Sequence, residues 1–318
     1  MSLPRLVFMG TPDIAALVLN RLAGAFPGQW VGVISQPDRP KGRDLQLQPT
    51  PVKQLATSLG LPVWQPEKAR SPESLAVLRE LAPDLIVVVA YGQLLPTSLL
   101  EIPRLGCLNL HTSLLPRWRG AAPIQWSIAA GDAMTGVTVM RMDAGLDTGP
   151  MLATRTTGIL ETDTGVTLQD RLGHLGAELL VEVLPEYLAG HLPPAPQPAE
   201  GVTYARKITK EDGRVDWTSA APVIARRLRA FTPWPGAFTL LPGTPQAKLL
   251  KLHAAVAVDR SGPPGQVLAA DPTGIVIGCG EGALQITELQ AEGGRRVTAA
   301  QFLAGHPGLV GRTLGATP

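Results

Sequence analysis

Short apolar runs alternate with amphipathic stretches through the first half of the chain. Runs such as Arg5–Met9, Trp30–Ser35 and Asp84–Val89 are too short for buried helices, which predicts β-strands. Several stretches between such runs repeat apolar residues at intervals of three and four, which predicts helices. Strands that alternate with helices form parallel sheets, so the pattern predicts an α/β domain with a mostly parallel sheet.

The turn after the first strand reads Gly10-Thr11-Pro12-Asp13. We expect Thr11 to cap the following helix and Pro12 to occupy its first position. Dinucleotide-binding turns read G-x-G-x-x-G, whereas this turn has a single glycine, so the support for a dinucleotide site is weak.

The pattern changes at His191–Ala199, where four of nine residues are proline. Such a stretch predicts a semi-rigid linker. Several short strands with turn residues between them follow, which predicts a small β-barrel or sandwich. We therefore assign residues 1–190 to a first domain, 191–206 to a linker and 207–318 to a second domain.

Composition limits the class of protein. The chain has 318 residues, of which 45% are hydrophobic and 17% charged. No apolar run approaches the ~18 residues that span a bilayer, so we expect a cytoplasmic protein without a membrane partner. Cys107 and Cys279 are too few for a disulfide framework or a zinc site. We expect Cys107 to be a buried structural thiol.

Charge is distributed unevenly along the chain. Residues 205–318 hold 13 lysines and arginines against 8 acidic residues, a net charge of +5, whereas residues 1–204 carry −3. A basic second part is compatible with a polyanionic partner, and equally with a mildly basic solvated surface.

The stretch Leu105–Gly120 places two polar residues at the end of an apolar run. Asn109 and His111 are two positions apart, so on a strand both side chains point to the same face. The plain alternative is a satisfied core histidine beside a capping asparagine. Open α/β sheets place their sites at the carboxyl ends of strands, which makes this pair a candidate site.

The loop Asp143–Pro150 supplies a third polar group, because in a parallel sheet it can return over the end of the same strand. An aspartate near a histidine orients the ring and stabilises its protonated form. An amide can hydrogen-bond an oxygen that becomes negative. Asn109, His111 and Asp147 together therefore suit acyl-type transfer to an amine, although a lone loop aspartate is usually an ordinary turn residue.

The segment Gln36–Pro51 contains four prolines and a glycine, with Arg39, Lys41 and Arg43 at alternate positions. We predict no regular element in it. Loops of this length in compact domains are more often functional than idle.

Three motifs together resemble one family. N-L-H-T-S-L-L-P-R-W-R-G-A-A-P-I-Q-W begins at Asn109, D-A-G-L-D-T-G-P at Asp143, and Q-P-D-R-P-K-G-R at Gln36. From Gly10 to the F-T-P-W-P-G segment, the order and spacing are similar to the methionyl-tRNA formyltransferase family of folate-dependent formyltransferases. The N-x-H-x-S-L-L-P part is common to all folate-dependent formyltransferases, and Q-P-D-R-P is the more substrate-specific motif.

The resemblance implies a Rossmann-like first domain that binds 10-formyltetrahydrofolate and an OB-like barrel that contacts methionyl initiator tRNA. Asn109 and protonated His111 would stabilise the oxyanion, and Asp147 would orient His111 and accept the proton of the attacking amine. No metal is implied, and we expect a monomer. The implied folate-binding residues are Ser113, Leu114, Leu115, Pro116, Ala90, Tyr91 and Gly92, and the implied tRNA-binding residues are Arg39, Lys41 and Arg43.

Two positions depart from the family pattern. The loop continues Asp44-Leu45-Gln46-Leu47-Gln48 without further lysine or arginine, which weakens its attraction for tRNA. Thr112 stands where glycine is common, which should narrow that turn.

Three other functions compete with this prediction. A formyltransferase acting on an amino-sugar nucleotide shares the catalytic motif and a similar second domain, but the basic Gln36–Pro51 segment favours tRNA. A glycinamide-ribonucleotide formyltransferase would normally lack the second domain. An RNA-binding module on an inactive scaffold would not need Asn109, His111 and Asp147 together.

Overall fold

The computed structural model describes residues 3–41, 46–242 and 248–315. Contacts between residues divide the chain into two compact units. Unit 1 contains Met1–Pro123, Met134–Gly158 and Gln169–Ala205. Unit 2 contains Ile124–Ala133, Ile159–Leu168 and Arg206–Pro318, so two short segments of the first half of the chain belong to it.

Between residues 6 and 205, the part of the chain that the structure describes forms eleven strands and six helices. The strands are β1 (Leu6–Gly10), β2 (Trp30–Ile34), β3 (Arg39–Lys41), β4 (Gln46–Gln48), β5 (Val63–Trp64), β6 (Leu85–Val89), β7 (Cys107–His111), β8 (Arg119–Gly120), β9 (Met134–Arg141), β10 (Met151–Gly158) and β11 (Tyr204–Ala205). The helices are α1 (Asp13–Ala25), α2 (Pro51–Ser58), α3 (Pro72–Leu81), α4 (Thr97–Leu100), α5 (Pro123–Ala130) and α6 (Gly165–Leu188).

Seven of these strands form one sheet in the order β10-β9-β7-β6-β1-β2-β5. The five strands from β7 to β5 are parallel, and β9 runs antiparallel to both of its neighbours. All residues of β1 and β6 are buried, as expected for central strands covered on both faces. This confirms the predicted mostly parallel α/β sheet.

The strand order reverses between β1 and β6, because the chain moves to one side through β2 and β5 and to the other through β6 and β7. The carboxyl ends of the parallel strands meet at one edge of the sheet. Open α/β sheets bind ligands in the crevice at such a reversal, so the turns after β1, β6 and β7 form the candidate site.

The two predictions about the turn after β1 were wrong. Thr11 does not cap α1, and Pro12 is the N-cap of α1 rather than its first residue, without a side-chain hydrogen bond. The Thr11 hydroxyl instead donates to the carbonyl oxygen of Tyr91, 2.8 Å away, so a long-range partner displaces the local one.

The segment Gln36–Pro51 does contain regular structure, since β3 and β4 pair as an antiparallel ribbon. Pro40 fits in β3 because a two-stranded ribbon has an outward edge, where a missing N–H group costs no ladder hydrogen bond. Residues 42–45 between the two strands lie outside the described residues.

Beyond residue 205, unit 2 contains α7 (Ala221–Ala230), β12 (Ala237–Leu241), β13 (Lys248–Val258), β14 (Val267–Asp271), β15 (Gly274–Gly278), β16 (Ala283–Ala291), β17 (Val297–Thr298) and α8 (Ala299–Gly305). These strands form an antiparallel sheet in the order β12-β13-β16-β15-β14, with β17 paired to β16. The predicted second β domain is thereby confirmed. Within the described residues no ladder joins β12 to β14, as in a partly open barrel.

The chain between α6 and unit 2 lies along unit 1. Ala195 exchanges backbone hydrogen bonds of 2.7 and 2.8 Å with Met151. Strand β11 then pairs in parallel with β8. Gly120 permits this approach, because a Cβ atom there would lie 2.7 Å from the carbonyl oxygen of Ala205. Part of the predicted linker therefore has fixed backbone partners.

Candidate active site

Strand β7 places Asn109 and His111 beside the strand reversal. It lies between β6 and β9, with Asn109 opposite Val88 on one side and Met140 on the other. His111 is buried with 5% of its surface exposed, and Asn109 is half-buried. The Asn109 amide makes no hydrogen bond to a described residue, so its donors and acceptor are available.

Cys107 begins the same strand and is buried in the core of unit 1. Burial raises the pKa of its thiol to about 12, so the thiol stays protonated at neutral pH. It behaves as the structural residue that the sequence predicts.

The His111 ring is oriented by a backbone carbonyl. Its Nε2 atom lies 2.9 Å from the carbonyl oxygen of Trp118. A carbonyl only accepts hydrogen bonds, so Nε2 carries the hydrogen, and Nδ1 is the atom that can gain or lose a proton. Trp118 has a left-handed backbone, with φ of 62°.

Asp147 lies on the side of the His111 ring that carries Nδ1. Its Oδ2 atom accepts the N–H of Gly120 at 2.7 Å and lies 3.7 Å from Nδ1 of His111. That separation is an ion-pair distance and too long for a direct hydrogen bond. Asp147 also has a left-handed backbone, with φ of 51°. Its Oδ1 atom accepts no hydrogen bond from the parts of the chain that the structure describes.

The turn Ser113–Pro116 follows β7 directly. The Ser113 hydroxyl donates to the carbonyl oxygen of Arg117 at 2.6 Å, and the Ser113 carbonyl accepts from Thr138 at 2.7 Å. Thr138 also accepts the Leu115 N–H at 3.2 Å. Ser113 and Leu115 are buried and Pro116 is half-buried, so these contacts fix the shape of the turn.

The turn after β6 presents backbone at the strand reversal. Ala90 is exposed with φ of 46°, whereas the Tyr91 side chain is buried and burial raises its pKa to about 12. The Tyr91 carbonyl accepts from Thr11 and from Gln36 Nε2, at 2.8 and 2.9 Å. Gly92 is required here, because its φ is 88° and a Cβ atom would lie 2.4 Å from Gln36 Nε2.

Gln197 and Thr203, in the predicted linker 191–206, hydrogen-bond to residues of the candidate site, and the sequence did not predict these contacts. Gln197 Nε2 donates to the carbonyl oxygens of Asp147 and Gly149, each at 2.8 Å. Its Oε1 atom accepts from Arg119 at 2.6 and 3.1 Å. Thr203 Oγ1 accepts the Trp118 N–H at 2.9 Å. These partners are 50 and 85 positions apart in sequence, and the proline content of the segment gave no signal for them.

The sequence of this chain is similar to those of known proteins. A family model described as formyl transferase matches residues 4–184, which is more than half of the chain. The chain belongs to the formyltransferase family. A second model, described as formyl transferase, C-terminal domain, matches residues 207–307.

Relatives of this formyltransferase extend over nearly its whole length. A methionyl-tRNA formyltransferase of Myxococcus xanthus (strain DK1622) is 54% identical over 307 residues, 96% of this chain and 96% of that protein. One of Magnetococcus marinus is 50% identical over 311 residues, 98% of each chain.

A solved structure has the same fold. The N-formyltransferase from Helicobacter canadensis, in complex with folinic acid and dTDP-3-aminofucose, aligns with a TM-score of 0.66. It is 16% identical and covers 93% of this chain and 100% of that chain. At this identity the likeness shows the fold alone.

The three basic residues predicted to bind tRNA are described to different extents. Arg39 in this formyltransferase pairs with Glu67 at 2.9 Å, with 62% and 68% of the two side chains exposed. Lys41 ends β3, and its side chain is not described. Arg43 lies outside the described residues.

Across residues 3–41, 46–242 and 248–315, no group of three histidine, cysteine or acidic residues is placed to hold a metal ion. None of the helices described in those ranges has the length and apolar character needed to cross a bilayer.

Proposed function

We propose that this formyltransferase transfers the formyl group of 10-formyltetrahydrofolate to the free amino group of methionyl initiator tRNA, giving N-formylmethionyl-tRNA for translation initiation. Identity of 54% to a methionyl-tRNA formyltransferase over 96% of both chains supports this substrate. The grouping of Asn109, His111 and Asp147 at the carboxyl end of β7 is the observation that carries the chemistry.

The reaction forms a C–N bond between the methionyl amine and the formyl carbon, and breaks the bond from that carbon to folate N10. Negative charge develops on the formyl oxygen in between. The Asn109 amide donates a hydrogen bond to this oxygen. His111 stabilises it in the imidazolium form, because Nε2–H is bound by the Trp118 carbonyl and only a protonated Nδ1 can donate.

Asp147 has two roles in this proposal, one for each oxygen atom. Oδ2, near His111 Nδ1 and held by the Gly120 N–H, favours the imidazolium. Oδ1 accepts the proton that leaves the attacking amine, directly or through water. The departing folate N10 takes up a proton when its bond to carbon breaks, which balances the reaction.

Two turns hold the folate in this proposal. The exposed backbone at Ala90 and Gly92 binds the pterin ring, while the buried Tyr91 side chain supports the turn. The turn formed by Ser113, Leu114, Leu115 and Pro116 contributes its shape, since the Ser113 hydroxyl is already used within the turn. The proposed reaction uses no metal.

Arg39, Lys41 and Arg43 bind phosphates of tRNA in this proposal, and the basic second domain at 207–318 adds sequence-independent attraction. Residues 1–190 form the catalytic domain and 191–206 the connection between the two. The enzyme acts as a monomer in the cytoplasm.

Formyl transfer to an amino-sugar nucleotide is the alternative substrate assignment. Sugar N-formyltransferases share the fold, but the Helicobacter canadensis enzyme is 16% identical, against 54% for the methionyl-tRNA enzyme of Myxococcus xanthus. This difference favours tRNA.

The decisive experiment incubates the full chain with 10-formyltetrahydrofolate and charged initiator tRNA and measures formylmethionyl-tRNA. A parallel reaction contains an amino-sugar nucleotide. Formylation of the sugar without formylation of the tRNA would refute the proposed substrate.

Replacing Arg43 tests the tRNA assignment of the basic segment. Arg43→Ala should raise KM for tRNA and leave KM for the folate nearly unchanged, because the lost charge contacts phosphate only. Equal increases in both constants would place Arg43 elsewhere.

A further inference from the structure

We propose that the segment Gln197–Thr203 positions the catalytic residues, with Gln197 holding Asp147 and Thr203 holding the peptide that orients His111. The inference rests on the catalytic roles proposed above for His111 and Asp147. Gln197 and Thr203 act through other residues, so both are positioning residues.

The first argument concerns backbone strain. Trp118 and Asp147 are two of the four non-glycine residues with positive φ among those described. Such conformations persist where the surroundings determine them strongly. Each of the two supplies a neighbour of His111, the Trp118 carbonyl at Nε2 and the Asp147 carboxylate near Nδ1.

Gln197 holds the first of these strained residues. Its amide has two hydrogens and an oxygen with two lone pairs. The hydrogens go to the carbonyls of Asp147 and Gly149, and the oxygen accepts two N–H groups of Arg119. Every bonding position of the amide is occupied, which defines one orientation for the peptide groups that follow Asp147 and Gly149.

Thr203 holds Trp118, the other residue with a positive φ. Its Oγ1 atom accepts the Trp118 N–H, and its carbonyl accepts the Arg119 N–H, both at 2.9 Å. Thr203 therefore fixes the peptide group before Trp118 and the one after it, and the second of these carries the carbonyl that binds His111 Nε2. Arg119 connects the two sets of contacts, because its backbone N–H donates to Thr203 and its guanidinium donates to Gln197.

The variant Gln197→Glu tests whether Gln197 positions Asp147 or only attaches its segment to Arg119. The carboxylate still accepts from Arg119, so the segment stays attached, but it has no hydrogen for the carbonyls of Asp147 and Gly149. We expect kcat to fall about 100-fold, the scale for displacing a catalytic group by about 1 Å. KM for both substrates should stay within about threefold of wild type.

Thr203→Val removes the hydroxyl that holds Trp118, whereas Thr203→Ser keeps it. We expect Thr203→Val to lower kcat about tenfold and Thr203→Ser to restore most of the rate. Nitrogen-15 NMR of His111 gives a readout without substrate. Neutral wild-type His111 should carry its hydrogen on Nε2, and Thr203→Val should show a mixture of the two tautomers.

Glu200→Gln is the matched control, since Glu200 is an exposed residue of the same segment, and it should behave as wild type. Gln197→Glu with kcat within about threefold of wild type would overturn the proposal. A parallel loss of kcat, substrate affinity and thermal stability would also overturn it, because general structural support would explain that result. Failure of the wild-type enzyme to formylate tRNA would refute the proposed function, and the NMR result would still report on positioning.

Discussion

Asp147 in unit 1 and Asp212 in unit 2 are both carboxylates shielded from solvent beside a basic side chain, yet they are bonded very differently. Both oxygens of Asp212 accept from Arg206, and one also accepts the N–H and hydroxyl of Thr209, each at 2.8 Å. The Arg206 hydrogen bonds lower the pKa of Asp212 well below its ordinary value, against the opposing effect of burial. Asp147 accepts one backbone N–H, through Oδ2.

We infer from this difference that Asp212 is a structural carboxylate and Asp147 a reactive one. Both oxygens of Asp212 are bonded, to Arg206 and to the 3-10 turn Lys210–Gly213, so we expect Asp212 to stabilise the fold and not to bind substrate. Asp147 has one oxygen available beside His111, so we expect it to contribute little to stability and much to the proposed catalysis. The following predictions test this contrast, from the largest expected effect to the smallest.

Asp147→Asn should lower kcat about 1,000-fold, because an amide neither accepts the amine proton nor favours the imidazolium of His111. The free energy of unfolding should change by less than about 1 kcal/mol, since the amide oxygen can still accept the Gly120 N–H. Single-turnover formylation and thermal denaturation measure the two effects. A variant with half of the wild-type rate would remove Asp147 from the mechanism.

Asp212→Asn should show the opposite behaviour. We expect a loss of about 2 kcal/mol in the free energy of unfolding, the scale of hydrogen bonds to a charged group. The Arg206 side chain is 59% exposed, so its charge can be solvated and the loss stays moderate. Urea denaturation measures the loss. Unchanged stability together with a large loss of kcat at low temperature would contradict the contrast.

Acid should reduce the difference in stability between wild type and Asp212→Asn. The folded-state pKa of Asp212 is lowered, so its stabilising contribution is complete above the unfolded-state value of about 4 and is lost as the pH falls below it. The difference between the two denaturation curves should stay constant from pH 6 to about pH 4 and should decrease progressively as the pH falls further. A difference that stays constant below about pH 4 would assign the stability to packing instead.

Glu67→Gln should have the smallest effect, because Glu67 is an exposed carboxylate whose partner Arg39 is also exposed. We expect a change of less than about 0.5 kcal/mol, and a smaller one in high salt. Thermal denaturation at low and high salt measures it. A larger change would show that the β3–β4 ribbon depends on this ion pair.

The sequence was informative where local pattern decides the structure. The strands β1, β6 and β7 are short apolar runs, and alternation places Asn109 and His111 on one face of β7 without knowledge of the rest of the fold. The Asp143–Pro150 loop was expected to reach His111 in a parallel sheet. Strand β9 is antiparallel to β7, and the loop nevertheless brings Asp147 Oδ2 to 3.7 Å from His111 Nδ1.

Sequence reasoning failed where a distant partner competes with a local one. Thr11 has the position of a helix cap but bonds Tyr91, 80 positions away. Gln197 and Thr203 lie in a stretch without hydrophobic periodicity, so their bonds to Asp147 and Trp118 become visible only in the folded chain.

The pairing of β8 with β11 also sets an order of assembly during synthesis. Gly120 and its partner Ala205 are far apart in the chain, so a ribosome must extend the polypeptide past Ala205 before this ladder can close. A nascent chain that ends at Gly190 already contains all seven strands of the large sheet but none of the bonds from Gln197 or Thr203. The bonds that hold Asp147 and Trp118 in the proposed site thus form after the sheet that carries the site.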